Sequence, residues 1–101
     1  MHLVQILLPR TDNAGTPFAN AEFQRLKDDL GSEFEGVTAY LQAPAEGLWR
    51  QGPQSLEDDI VIFEVMTEEL DLSGWRMRRA GLEQQFRQDK VVVRFMTIGI
   101  V

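Results

Sequence analysis

Apolar positions along this chain follow two periods, and the periods succeed one another in order. Leu3–Leu8, Val37–Gln42, Ile60–Met66 and Val91–Ile98 are short aliphatic runs of the kind that form strands. Phe18–Leu30 and Leu72–Phe86 repeat their apolar residues at helical spacing. Phe23, Leu26 and Leu30 share one face of the first helix, and Trp75, Leu82 and Phe86 share one face of the second. The predicted order is therefore βαββαβ. Boundary residues agree with it. Pro9 cannot donate to a ladder and ends strand one. Thr16-Pro17 has the form of an N-cap followed by a first helical residue, Gly31 that of a residue just past a helix, and Asp71 or Ser73 can cap helix two. The connection Ala43–Ser55 holds Pro44, Gly47, Gly52 and Pro53 and is longer than an ordinary hairpin loop.

This order predicts an α+β, ferredoxin-like βαββαβ sandwich: a four-stranded antiparallel sheet of spatial order 4-1-3-2, with two helices on one face. The chain reads as one such domain over residues 1–101. Alternation then assigns the faces. Val4, Ile6 and Leu8, with Val61, Phe63 and Val65 and with Val91, Val93 and Phe95, make wholly apolar sets that belong under the helices. The opposite face carries Leu3, Gln5 and Leu7; Thr38, Tyr40 and Gln42; Ile60, Ile62, Glu64 and Met66; and Val92, Arg94, Met96 and Ile98. Two helices cover one face only, so this second face is an interaction surface. The simplest cover is the same face of a second copy, since two-fold self-association is the commonest form of oligomer.

Element order and face polarity together resemble the dimeric α+β barrel superfamily, small ferredoxin-like proteins whose sheets pack face to face. The resemblance spans essentially the whole chain and carries no residue signature. It implies a homodimer, and it brings in monooxygenases of the antibiotic-biosynthesis type, muconolactone isomerases and stress-responsive barrel proteins. In the enzymes of that superfamily the site lies in a cleft between the sheet and the helices or loops. A group of short bacterial ferredoxin-like proteins of unassigned activity is also similar around Gly47-Leu48-Trp49-Arg50.

Four polar residues interrupt the open face. Arg94, Gln5, Glu64 and Tyr40 line up across the sheet in that order. Neighbouring strands lie about 4.8 Å apart, so Arg94 and Glu64 start roughly 10 Å apart with Gln5 between them. Two roles suit this row. It fixes the register of a dimer as a satisfied polar stripe. Alternatively it lines a ligand pocket, with Arg94 holding an anionic group, Glu64 acting as a base and Tyr40 as a donor.

Other residues carry paired readings. Trp49, in the long connection, is a core-edge cap or a binding anchor. Arg79 lies about 40° from Trp75 around helix two; it snorkels from the edge of the core or faces a cleft. His2, the only histidine, suits the solvent edge of strand one. Glu57-Asp58-Asp59 is acidic but lacks the spaced ligands of a calcium loop, so no metal site is predicted.

Composition narrows the function classes. The chain has no cysteine, which removes disulfides, thiol nucleophiles and thiolate metal sites and leans towards a reducing, cytoplasmic setting. Met1-His2-Leu3-Val4 does not read as a signal peptide, and no apolar run is long enough for a bilayer. A net charge of −6 disfavours nucleic acid. So do the strands: they lack the base-stacking aromatics of RNA-recognition motifs. Seven acids fall between Glu57 and Asp71 with no base, and five bases between Arg76 and Lys90 against two acids. These stretches form two solvated surfaces, or they meet. No cofactor is expected, and no nucleophile-elbow, phosphate-loop or metalloprotease motif is present. The sequence reading is a homodimeric interaction or binding module for a small apolar or anionic ligand. Its alternative, implied by the resemblance, is a cofactor-independent monooxygenase- or isomerase-like enzyme acting on a small apolar ring compound.

Overall fold

The computed structural model describes residues 1–51 and 54–101, and for 42–51 and 54–59 it describes the backbone. The order is β1 (His2–Pro9), α1 (Asn20–Glu33), β2 (Gly36–Gln51), β3 (Gln54–Thr67), α2 (Leu72–Gln85) and β4 (Val92–Thr97). The strands form one antiparallel sheet in the order β2-β3-β1-β4. This is the ferredoxin-like arrangement that the pattern predicts.

The covered face is built by alternation. Val4, Ile6 and Leu8 of β1 and Val61, Phe63 and Val65 of β3 are all 1% exposed or less. Phe23, Leu26 and Leu30 from α1 and Trp75 and Leu82 from α2 close over them, with Phe86 just past α2. Phe86 stacks on Phe23 at 5.7 Å and meets the edge of Phe18 at 5.1 Å, which joins the two helices above the sheet. Phe95 breaks the expected pattern. It points to the helix side yet remains 52% exposed, because β4 is an edge strand and an open cleft lies between it and α2.

The segment expected as a long connection is mostly paired strand. β2 pairs with β3 as far as Tyr40↔Ile62, and after an irregularity pairing resumes at Ala45↔Ile60 and runs to Gln51↔Gln54. Pro44 falls inside the irregularity, where its missing N–H costs no ladder bond. β1 pairs with β3 only as far as Ile60, so the remainder of the β2–β3 hairpin is a two-stranded arm.

Helix ends differ from expectation in instructive ways. α1 begins at Asn20 behind Ala19, which makes no side-chain cap, and not at Thr16-Pro17. Asp12 captures that segment first: its Oδ1 accepts from the backbone N–H groups of Ala14 and Thr16, both at 2.9 Å, and Thr11 bridges Pro17. The Thr16 N–H bond holds the Asp12 carboxyl below its ordinary 3.8, with smaller contributions from the Ala14 N–H and from Arg87. Gly15, at φ +85°, closes this loop. Gly31 lies within α1; the helix runs on until Phe34 turns to stack on Trp75 at 5.2 Å. Asp71 caps α2, accepting from the Gly74 N–H at 3.0 Å. The apolar C-terminal run is tied to the sheet only as far as Ile98, whose N–H donates to the Met1 carbonyl; Ile100 is 63% exposed.

Candidate functional site

The open face is arranged in levels set by the strand register. Gln5 lies opposite Glu64 on one side and Arg94 on the other, so the three share one level, and Thr38 adjoins Glu64. One step along the strands, Leu3 lies between Met66 and Met96. One step in the other direction, Leu7 lies between Ile62 and Val92, and Tyr40 adjoins Ile62. A polar row is thus flanked by two apolar rows. Among these residues Thr38 and Arg94 are exposed, as are the large side chains Tyr40, Met66 and Met96, at 44%, 38% and 45%.

The polar groups form a continuous hydrogen-bonded chain over all four strands, although Tyr40 does not line up with the other three as the pattern predicts: Thr38 holds that position, and Tyr40 reaches Glu64 from one step along β2. Arg94 Nε donates to Gln5 Oε1 at 2.8 Å. Gln5 Nε2 donates to Glu64 Oε2 at 2.8 Å. The Tyr40 hydroxyl donates to Glu64 Oε1 at 2.8 Å. The direction of the Gln5 amide follows from its neighbours. A guanidinium only donates and a carboxylate only accepts, so the amide must turn its oxygen to Arg94 and its nitrogen to Glu64. Arg94 and Glu64 make no direct contact; Gln5 spans the gap that the strand spacing imposes. The bond to Glu64, and then the negative charge of that carboxylate, raise the Tyr40 hydroxyl above its ordinary 10.0, with desolvation a smaller cause. Tyr40 therefore keeps its proton and points it at Glu64. Both Glu64 oxygens are occupied, whereas the terminal nitrogens of Arg94 have no hydrogen-bond partner among the described residues.

The remaining candidates stand apart from this row. Arg79 lies on α2 and lines a cleft of about 210 Å³ between α2 and β4, together with Trp75, Arg76, Val4, Val93 and Phe95. It is on the helix side of the sheet, so the sheet itself separates it from Gln5 and Glu64. Arg76 and Phe95 belong to this cleft and were not singled out by sequence reasoning. The three-residue spacing of Arg76 and Arg79 was the available signal. Trp49 falls on β2 opposite Leu56, on a strand and not in a loop; its side chain lies outside the described residues. The His2 Nδ1–H donates to the Glu68 carbonyl at 3.1 Å, at the start of β1. The side chains of Glu57, Asp58 and Asp59 lie outside the described residues. Among those described, no three His, Cys, Asp or Glu side chains cluster as a metal site.

The acidic and basic stretches do not pair with each other among the described residues. The ion pairs there are Arg78–Glu33 and Arg87–Asp12, the second at 3.3 Å. Arg78 also lies over the Phe34 and Trp75 rings, each 5.6 Å from the centroid, so its role is to seal the core edge. No described helix is long and apolar enough to cross a membrane. No family model, curated protein or solved structure matches this chain.

Proposed function

We propose that this chain works as a homodimeric binding module, with the open sheet face covered by the same face of a second copy and the polar row lining the seam between them. The observation that carries this reading is the hydrogen-bonded row Arg94–Gln5–Glu64–Tyr40 set between two apolar rows on a face that no helix covers. An apolar face of this extent favours removal from water. A polar row inside it tolerates that removal because its members satisfy one another.

The terminal nitrogens of Arg94 give the seam a donor fork suited to a carboxylate, and Leu3, Leu7, Val92 and Met96 offer an apolar bed. The ligand class that fits is a small apolar body bearing an anionic group. The arrangement agrees with the dimeric α+β barrel type that the element order resembles. Light scattering on a sizing column tests the assembly: the expected mass is twice the 11.5 kDa of one chain. Thermal shift with small aryl carboxylates tests the ligand class, with Arg94→Ala expected to remove any stabilisation. No shift with any carboxylate would reject that class.

The Tyr40–Glu64 pair supports a second reading, a cofactor-independent enzyme of the same type acting on a small apolar ring compound. A phenol proton held on a carboxylate is the geometry of a proton relay. Under that reading Tyr40→Phe and Glu64→Gln each abolish turnover of a bound compound without abolishing its binding.

A further inference from the structure

The charge on the open face has a direction, running from a cation on β4 to a carboxylate on β3. Two such faces stacked with their strands aligned are related by a two-fold axis in one of two orientations. An axis running across the strands, along the row, sets every group opposite its own copy. Arg94 then meets the partner's Arg94 and Glu64 meets the partner's Glu64, and like charges set against each other across an interface are disfavoured. An axis running along the strands exchanges left and right. It lays β4 of one copy over β2 and β3 of the other, and keeps the apolar rows in register with each other.

We propose that two copies dock about an axis parallel to the strands near β1 and β3, so that each end of the seam is a composite site. Glu64 and Tyr40 come from one copy and the Arg94 guanidinium from the other. This rests on the dimer proposed above and adds its handedness and the origin of its charged groups. Three features of the molecule converge on it. The row carries one charge of each sign at separate places, so it is self-complementary only under this axis. The terminal nitrogens of Arg94 are uncommitted among the described residues while Nε anchors the side chain on Gln5. Facing sheets lie about 10 Å apart, a gap that an arginine and a glutamate span together.

The chain lacks cysteine, so single cysteines report the geometry directly. Leu3 lies beside the proposed axis and Thr38 lies out on β2. Leu3→Cys is expected to cross-link to itself with a short bismaleimide, and Thr38→Cys is not. The reverse result puts the axis across the strands and overturns the proposal, as does cross-linking at neither position in a wild-type dimer. Arg94→Glu and Glu64→Arg are each expected to weaken dimerisation about tenfold or more, and the double variant R94E/E64R to recover most of it. Single reversals that leave a wild-type dimer intact overturn the orientation but not the dimer. A wild-type chain that is monomeric overturns both.

Discussion

The two faces of this sheet are made of the same strands and differ in what happens to their side chains. On one face Ile6, Leu8, Val61, Phe63 and Val65 are fully buried beneath α1 and α2. On the other, one residue away along each strand, Leu7 and Ile62 are only half-buried and flank a row of hydrogen-bonded polar groups. The first face is closed by packing within the chain. The second is left open by the chain's own helices and carries its polar groups at one level, which is where the proposed partner would meet it. Internal packing and the proposed recognition thus fall on alternate residues of the same strands.

Adjacent substitutions in β3 should separate the two. Phe63→Ala removes a ring fully buried against Phe23 and should cost about 3–5 kcal/mol of unfolding free energy in urea. Ile62→Lys, on the other face, should leave the monomer within about 1 kcal/mol, because a long side chain can carry its charge to solvent. It should instead abolish dimerisation. If Ile62→Lys unfolds the chain, or leaves its mass unchanged, the faces do not divide the work in this way.

A smaller effect tests the covered side. Asp71→Ala removes the α2 cap and should cost about 1 kcal/mol. Gly74→Ala should disturb the same cap, since a Cβ there would come within 2.6 Å of Asp71 Oδ2. Neither change should alter the state of association.

The smallest and most local effect is on the open side. Tyr40 is the only tyrosine, so its ionisation can be followed by phenolate absorbance. The native midpoint should lie above 10.0, and Glu64→Gln should lower it. The sign for stability follows. A group whose pKa is raised by folding contributes stability that is fully present below its unfolded pKa. That contribution is lost as pH rises through the folded pKa. The loss should therefore appear only on the alkaline side of 10.0. A midpoint at the ordinary value would mean that Tyr40 does not donate to Glu64 in solution.

Much of this contrast was legible in the sequence because period-two alternation assigns each strand residue to a face. Gln5, Glu64 and Arg94 stood out as polar residues in the wrong half of apolar runs, and the element order brought them onto neighbouring strands. Alternation gives the side of a residue but not whether anything lies over it. Phe95 is on the helix side and exposed because a cleft separates α2 from this edge strand. The hairpin arm was hidden by Pro44 and Gly47, which mark loops locally; Pro44 falls where pairing is already broken, and Gly47 is paired with Asp58. The Thr16-Pro17 helix start failed because the groups it would use are bonded elsewhere: the Thr16 carbonyl accepts from the Asp12 N–H and the Phe18 N–H donates to the Arg10 carbonyl, both at 2.9 Å, pairings no local cap rule contains. The Arg94–Gln5–Glu64 linkage needed the register itself, since only directly opposed residues let one amide bridge two charges.

The central claim is that the open face is the seam of a two-fold dimer, and the solution molar mass tests it most directly. Light scattering on a sizing column should give twice 11.5 kDa, independent of loading across the practical range. A constant mass of 11.5 kDa would contradict the claim and leave the polar row facing solvent or some other partner.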